Sequence, residues 1–131
     1  MKKIAMVIHG GAGPDSDHIK QNMQGYEEGL KDALLAGHKI LEKGGSALEA
    51  VEEAVKHLED NPFFNAGRGS ALNNKGEVEM DASIMDGKTL KAGAVSMIKN
   101  VKNPISLARL IMKETNHVML SDNGALQFAE D

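Results

Sequence analysis

The 131 residues include no cysteine and no tryptophan. Without thiols there is no disulfide framework, no thiolate metal site and no thiol nucleophile. Aromatic residues make up only 3% of the chain, so aliphatic side chains and the 8 methionines are expected to fill the core. A basic excess is also missing. The net charge is −4 and the 15 Lys and Arg are dispersed, which excludes the footprint of a nucleic-acid binder and a polybasic membrane-surface segment. No apolar stretch approaches the roughly 20 residues of a bilayer span. The first apolar run stops at His9, too short for a signal-peptide core. A cytoplasmic protein with no nucleic-acid or membrane partner is expected. The 5 histidines do not pair with one another or with a carboxylate cluster at ligand spacing, so no zinc site is expected.

A hydrophobic fraction of 41% suffices for one core, and the length fits a single domain over 1–131. Residues 4–8 form a short apolar run ending in Gly10-Gly11-Ala12-Gly13, which reads as a buried strand entering a tight turn. Asp15, Ser16 or Asp17 offers an N-cap, and apolar residues recur at helical spacing over 18–43 until Gly44-Gly45. Gly25 and Gly29 share a face of that helix, as if another backbone passed close by. Ser46 and Glu49 form a capping box opening a second helix, which Asn61-Pro62 ends. Residues 78–85 alternate apolar and polar up to Asp86-Gly87, predicting a hairpin with 92–98. Asn103-Pro104 opens a third helix, Val118-Met119-Leu120 reads as a strand, and Ser121 or Asp122 caps a last helix. Its face of Ala125, Leu126, Phe128 and Ala129 is expected to stay open. About four strands and four helices give an α/β sheet with layered helices, with a sheet that looks incomplete.

Two glycine loops stand out. His9-Gly10-Gly11-Ala12-Gly13 follows a strand and precedes a helix, a context that suits a phosphate cradle, but it has neither a P-loop Lys nor a full Gly-x-Gly-x-x-Gly. The stretch Asn61-Pro62-Phe63-Phe64-Asn65-Ala66-Gly67-Arg68-Gly69 is too apolar for a solvated linker, and Asn65 reads locally as a loop-capping amide. Glu77, Glu79, Asp81 and Asp86 suit a solvated strand face better than a cation site.

Taken in order, these loops and the long run Gly76-Glu77-Val78-Glu79-Met80-Asp81-Ala82-Ser83-Ile84-Met85-Asp86-Gly87 carry a specific likeness. With Gly93-Ala94-Val95, Asn103-Pro104-Ile105, Ala108-Arg109 and His117-Val118, they resemble the α-subunit part of plant-type L-asparaginases, or isoaspartyl peptidases. The likeness runs from about Ile4 to Ala129, nearly the whole chain.

The resemblance implies a four-layer αββα N-terminal-nucleophile hydrolase sandwich, of which this chain lacks the β-subunit strands. It implies autoproteolysis before a Thr, whose hydroxyl attacks the asparagine side-chain amide or a β-aspartyl bond, with its own α-amino group as base. Thr89 follows Lys88 and Thr115 follows Glu114, and neither matches that nucleophile. The expectation is therefore an α-subunit with no catalytic residue of its own, inactive without a β-subunit that begins with Thr. The small-molecule substrate would bind only to the assembly, a homo-oligomer or an (αβ)2 unit. Exposed strand edges would make the isolated chain an unstable monomer. Supporting positions implied by the family are Asn65, beside the nucleophile, and the loop of His9, Gly10 and Gly11. No organic cofactor is implied. A structural Na+ is, held by backbone carbonyls at Leu58, Glu59, Asn61, Phe64, Ala66 and Arg68. The competing class is a free-standing, non-catalytic α-like protein that self-associates or binds a partner.

Overall fold

The structure, a computed structural model, describes residues 3–13 and 16–130. The first helical region opens where expected: Ser16 Oγ accepts the Ile19 N–H at 3.2 Å, Asp17 is the first helical residue, and Asp15, also a candidate cap, lies outside the described residues. The region is not one helix. It divides into α1 (Asp17–Gln21) and α2 (Met23–Glu42) at Asn22, whose side-chain amide donates to His18 O at 2.8 Å. A short polar side chain that bonds the preceding turn competes with helix propagation, which periodicity does not reveal. α2 ends in a Schellman motif, with Gly45 N–H on Ile40 O, Gly44 N–H on Leu41 O, and Gly44 at φ +83°.

α3 (Ala47–Asp60) carries the expected capping box. Ser46 Oγ accepts the Glu49 N–H at 3.2 Å and Glu49 Oε2 accepts the Ser46 N–H at 2.7 Å. α2 and α3 pack through small residues: a β-carbon on Gly37 would lie 2.6 Å from Ala50 O. At Gly25 and Gly29 the close neighbours are side chains, chiefly phenylalanine rings, rather than the backbone anticipated from sequence. A β-carbon at Gly25 would lie 2.4 Å from Phe63 Cε2, and one at Gly29 2.7 Å from Phe64 Cε2 and 2.5 Å from the Asn61 side-chain amide nitrogen.

β1 (Met80–Met85) and β2 (Ala92–Ile98) form the expected antiparallel hairpin, with Ile84 opposite Gly93. A bulge at Asp81 is fixed by its own carboxylate, which accepts Ser96 Oγ–H at 2.7 Å and Met97 N–H at 2.8 Å. α4 (Pro104–Glu114) then carries the chain to β3 (Met119–Ser121), which pairs parallel to β2, giving the order β1-β2-β3. α5 (Asp122–Glu130) follows. Val78 falls outside β1 and bridges to Leu72 instead.

One sheet face, with Ile84, Val95 and Ile98, packs against Ile105, Ala108 and Ile111 of α4 and Ala125 of α5. Leu126 and Phe128 join this core, so the last helix does not leave its apolar face open as expected. It folds back across the sheet and leaves only Ala129 of that face exposed. The opposite sheet face, with Ser83, Met85, Ala94, Met119 and Ser121, bears no helix among the described residues, and Met85 and Met119 are both more than half exposed. A second cluster of Ala33, Leu58 and Phe64 lies between α2, α3 and the loop after α3.

Two further expectations are corrected. Residues 4–8 take no regular secondary structure and pair with no strand among the described residues, so three strands replace the expected four. Val7 is 90% exposed, because a strand is buried only where a neighbour supplies the other side of its ladder. The methionines do not dominate the core: Met80 is buried, whereas Met23, Met85, Met97 and Met119 lie at the surface.

Candidate functional site

The loop after α3 is held by short-range hydrogen bonds to its own backbone, to the Asn61 side chain and to the end of α3. Asn61 Oδ1 accepts the Phe63 N–H at 2.9 Å, Phe64 O accepts the Ala66 N–H at 2.9 Å, and Glu59 O accepts the Arg68 N–H at 2.7 Å. Tyr26 packs on both rings, with centroids 5.1 Å from Phe63 and 5.7 Å from Phe64, the latter edge-on. Phe64 is thereby buried, as the apolar composition of the loop demands.

Asn65, the next residue, projects from this anchored turn. Its Oδ1 accepts the Ala71 N–H at 2.9 Å, the capping role read from the local sequence, and its Nδ2 makes no hydrogen bond among the described residues. Across from it runs the first glycine loop. A β-carbon at Gly10 would lie 2.9 Å from both Leu30 Cδ2 and Phe64 Cε1, and Gly11 sits at φ +109°, so both positions need glycine. His9, Gly10, Gly11 and Asn65 line one open cavity of about 930 Å³, with Tyr26, Phe63 and Phe64 among its apolar walls. The fold thus brings the four sequence-derived positions to one groove.

The carbonyls of the second loop face its closely packed inner turn. A β-carbon at Gly69 would stand 2.4 Å from Pro62 O and 2.5 Å from Phe64 O, and one at Gly67 would stand 2.6 Å from Glu59 O. Leu58 O and Asn61 O each accept one backbone N–H, from Asn61 and Phe64 respectively.

The two threonines lie elsewhere with their hydroxyls committed. Thr89 Oγ1 donates to Asp86 Oδ2 at 2.6 Å in the hairpin loop, and Thr115 Oγ1 donates to Ile111 O at 2.9 Å at the end of α4. The acidic strand residues are also engaged separately, Glu77 and Glu79 with Lys99 and Asp81 with the bulge. Among the described residues no group of three His, Cys, Asp or Glu side chains is placed to hold a metal.

One residue carries more than its sequence position announced. The Glu59 side chain is 2% exposed, with Oε1 accepting the Ile105 N–H at 2.9 Å and Oε2 accepting Asn103 Nδ2–H at 3.1 Å. Burial pushes its carboxyl up to about 7 despite those two hydrogen bonds. The available signal was electrostatic: Glu59 and Asp60 sit at the C-terminal end of α3, where the helix dipole disfavours acids, so a compensating partner was needed.

An α/β chain with a glycine-lined groove and carbonyl-rich loop is the class these observations define. A family model described as asparaginase matches residues 2–131, and the chain belongs to that family. It is 56% identical over 129 residues to the isoaspartyl peptidase/L-asparaginase of Homo sapiens, covering 98% of this chain and 41% of that protein. It is 54% identical over 128 residues to the protein of the same name from Xenopus laevis, covering 98% and 40%. The plant-type L-asparaginase of Pyrococcus abyssi is 56% identical over 126 residues, covering 96% and 40%. The chain therefore spans about 40% of the length of the curated relatives it matches. No helix among the described residues is long and apolar enough to cross a membrane.

Proposed function

We propose that this chain is the α-subunit part, scaffold and supporting shell, of a cytoplasmic hydrolase. The assembly would cleave the side-chain amide of L-asparagine and β-aspartyl peptides with an N-terminal Thr supplied by a separate β-chain. The observation that carries this reading is the groove itself. It is lined by His9, Gly10, Gly11 and Asn65, and neither threonine of the chain lines it: both hydroxyls are bonded elsewhere. Family membership and the coverage of about 40% support it. The sheet face bearing Met85 and Met119 and the unpaired residues 4–8 are where a β-chain would pack, completing a four-layer αββα sandwich within an (αβ)2 unit or other oligomer.

In the assembly the threonine hydroxyl adds to the substrate amide carbon and its proton passes to the threonine α-amino group, which a free chain terminus alone provides. Ammonia leaves from asparagine, or the α-amine of the following residue from a β-aspartyl bond, and water hydrolyses the acyl ester. The part of this chain is positional. Asn65 Nδ2 is available to donate toward the reacting groups while Oδ1 stays fixed on Ala71. The glycine loop leaves room for the incoming chain. A monovalent cation such as Na+ fits the second loop, where backbone oxygens of Leu58, Glu59, Asn61, Phe64, Ala66 and Arg68 would hold it. The Glu59 and Phe64 carbonyls that crowd Gly67 and Gly69 support this, because neutral oxygen donors suit a hard ion. The ion would balance the carbonyl dipoles of an otherwise apolar turn.

Intact-mass analysis of natively purified protein tests the assembly. A second chain whose amino-terminal residue is Thr is expected; a single, uncut species with no such partner would contradict it.

A further inference from the structure

We propose that Glu59 is a positioning residue: its buried carboxylate ties the N-terminus of α4 to the loop that carries Asn65. In its effect on catalysis, this rests on the functional reading above. Three observations converge. First, α4 has no side-chain cap of its own. Asn103, at its N-cap, donates instead to Glu59 Oε2 at 3.1 Å and to Asp60 Oδ1 at 3.2 Å. The helix is capped from α3, by Glu59 Oε1 on the Ile105 N–H at 2.9 Å. A carboxylate there satisfies an orphan donor and sits favourably at the positive end of the helix dipole.

Second, the main chain of the same residue holds the returning leg of the loop. Glu59 O accepts the Arg68 N–H at 2.7 Å. Gly67 lies so close that a β-carbon there would stand 2.6 Å from Glu59 O and 3.0 Å from its Cα. Third, the loop so held carries Phe64, which abuts Gly10, and Asn65, which caps Ala71. Displacing the Glu59 backbone therefore displaces both walls of the groove. The side chain is buried with every hydrogen-bonding oxygen occupied, so it cannot be removed without leaving the Ile105 N–H unpartnered. The arrangement makes α4, and the sheet beneath it, the reference frame for Asn65.

Hydrogen exchange on the full protein separates this role from simple helix capping. In Glu59→Ala, exchange should accelerate by about tenfold or more at Ile105 and also at Arg68 and Ala71, whose acceptors the substitution leaves intact. Glu59→Gln keeps an acceptor for the Ile105 N–H but turns an NH2 toward Asn103 Nδ2, so it should restore protection at Ile105 and part of it at Arg68 and Ala71. Acceleration confined to Ile105, or no rescue by glutamine, would overturn the proposal. If Glu59→Ala does not fold, Asn103→Ala removes one of the two side-chain ties; faster exchange at Arg68 and Ala71 supports the proposal and unchanged exchange there overturns it. In the assembled enzyme, Glu59→Ala should lower kcat with KM nearly unchanged; a change in KM alone would count against positioning of Asn65. A wild-type assembly with no amidohydrolase activity would refute the functional reading and leave the exchange result standing.

Discussion

Gly10 and Phe64 meet with no room for a side chain between them: a β-carbon at Gly10 would lie 2.9 Å from the ring. This contact joins the two glycine loops, which are separated by more than fifty positions in sequence, into one groove. Gly10→Ala forces Phe64 or Leu30 to shift in a packed cluster. The expected cost is about 1–3 kcal/mol of folding stability, typical of overpacking. Denaturant unfolding of both proteins checks it; an unchanged midpoint would mean the ring moves freely.

The capping box of α3 provides a local test. Ser46→Ala removes the acceptor for the Glu49 N–H and a donor to Glu49 Oε2, so a loss of about 1 kcal/mol is expected. Hydrogen bonds from Ser46, its backbone N–H first, hold the Glu49 carboxyl below its usual range. Its titration, followed by NMR, should move up in the variant.

Asp81 sets a pH dependence. Hydrogen bonds from the Met97 N–H and the Ser96 hydroxyl hold its carboxyl below the ordinary value of 3.8. A depressed folded value means that the stabilisation is present above about 3.8, where the unfolded chain is already ionised, and is lost as pH falls through the folded value. Asp81→Asn should reduce stability near neutrality and flatten the acid limb of the stability curve. An acid limb identical to that of the wild type would contradict this assignment.

The cation proposal separates main chain from side chain. Replacing sodium with a bulky organic cation at constant ionic strength should lower the Tm of the wild-type protein. Arg68→Ala should show the same shift, because the Arg68 ligand is a carbonyl. A Tm indifferent to the cation in both proteins would remove the ion from the account.

Local signals were the ones most legible in the sequence. Ser46 with Glu49, Gly44-Gly45, and the alternation ahead of Asp86-Gly87 each act within a few residues, and each appears where expected. The break at Asn22 was hidden because an amide that bonds its own backbone leaves the apolar period intact. The run 4–8 has the composition of a strand, but composition does not supply a partner. Leu126 and Phe128 could not be placed from sequence, because their burial depends on α5 returning over the sheet. In the groove, the glycines and Asn65 were legible through a resemblance extending over nearly the whole chain. The Glu59 carboxylate was not, since its partners Asn103 and Ile105 lie more than forty residues away.

The central claim is that the nucleophile comes from another chain. The most direct measurement is ammonia release from L-asparagine by the purified 131-residue chain, alone and after co-folding with a Thr-initiated β-chain. No release is expected from the chain alone, and turnover is expected on addition of the partner. Turnover by the chain alone that persists in Thr89→Ala/Thr115→Ala, with contaminating activity excluded, would contradict it.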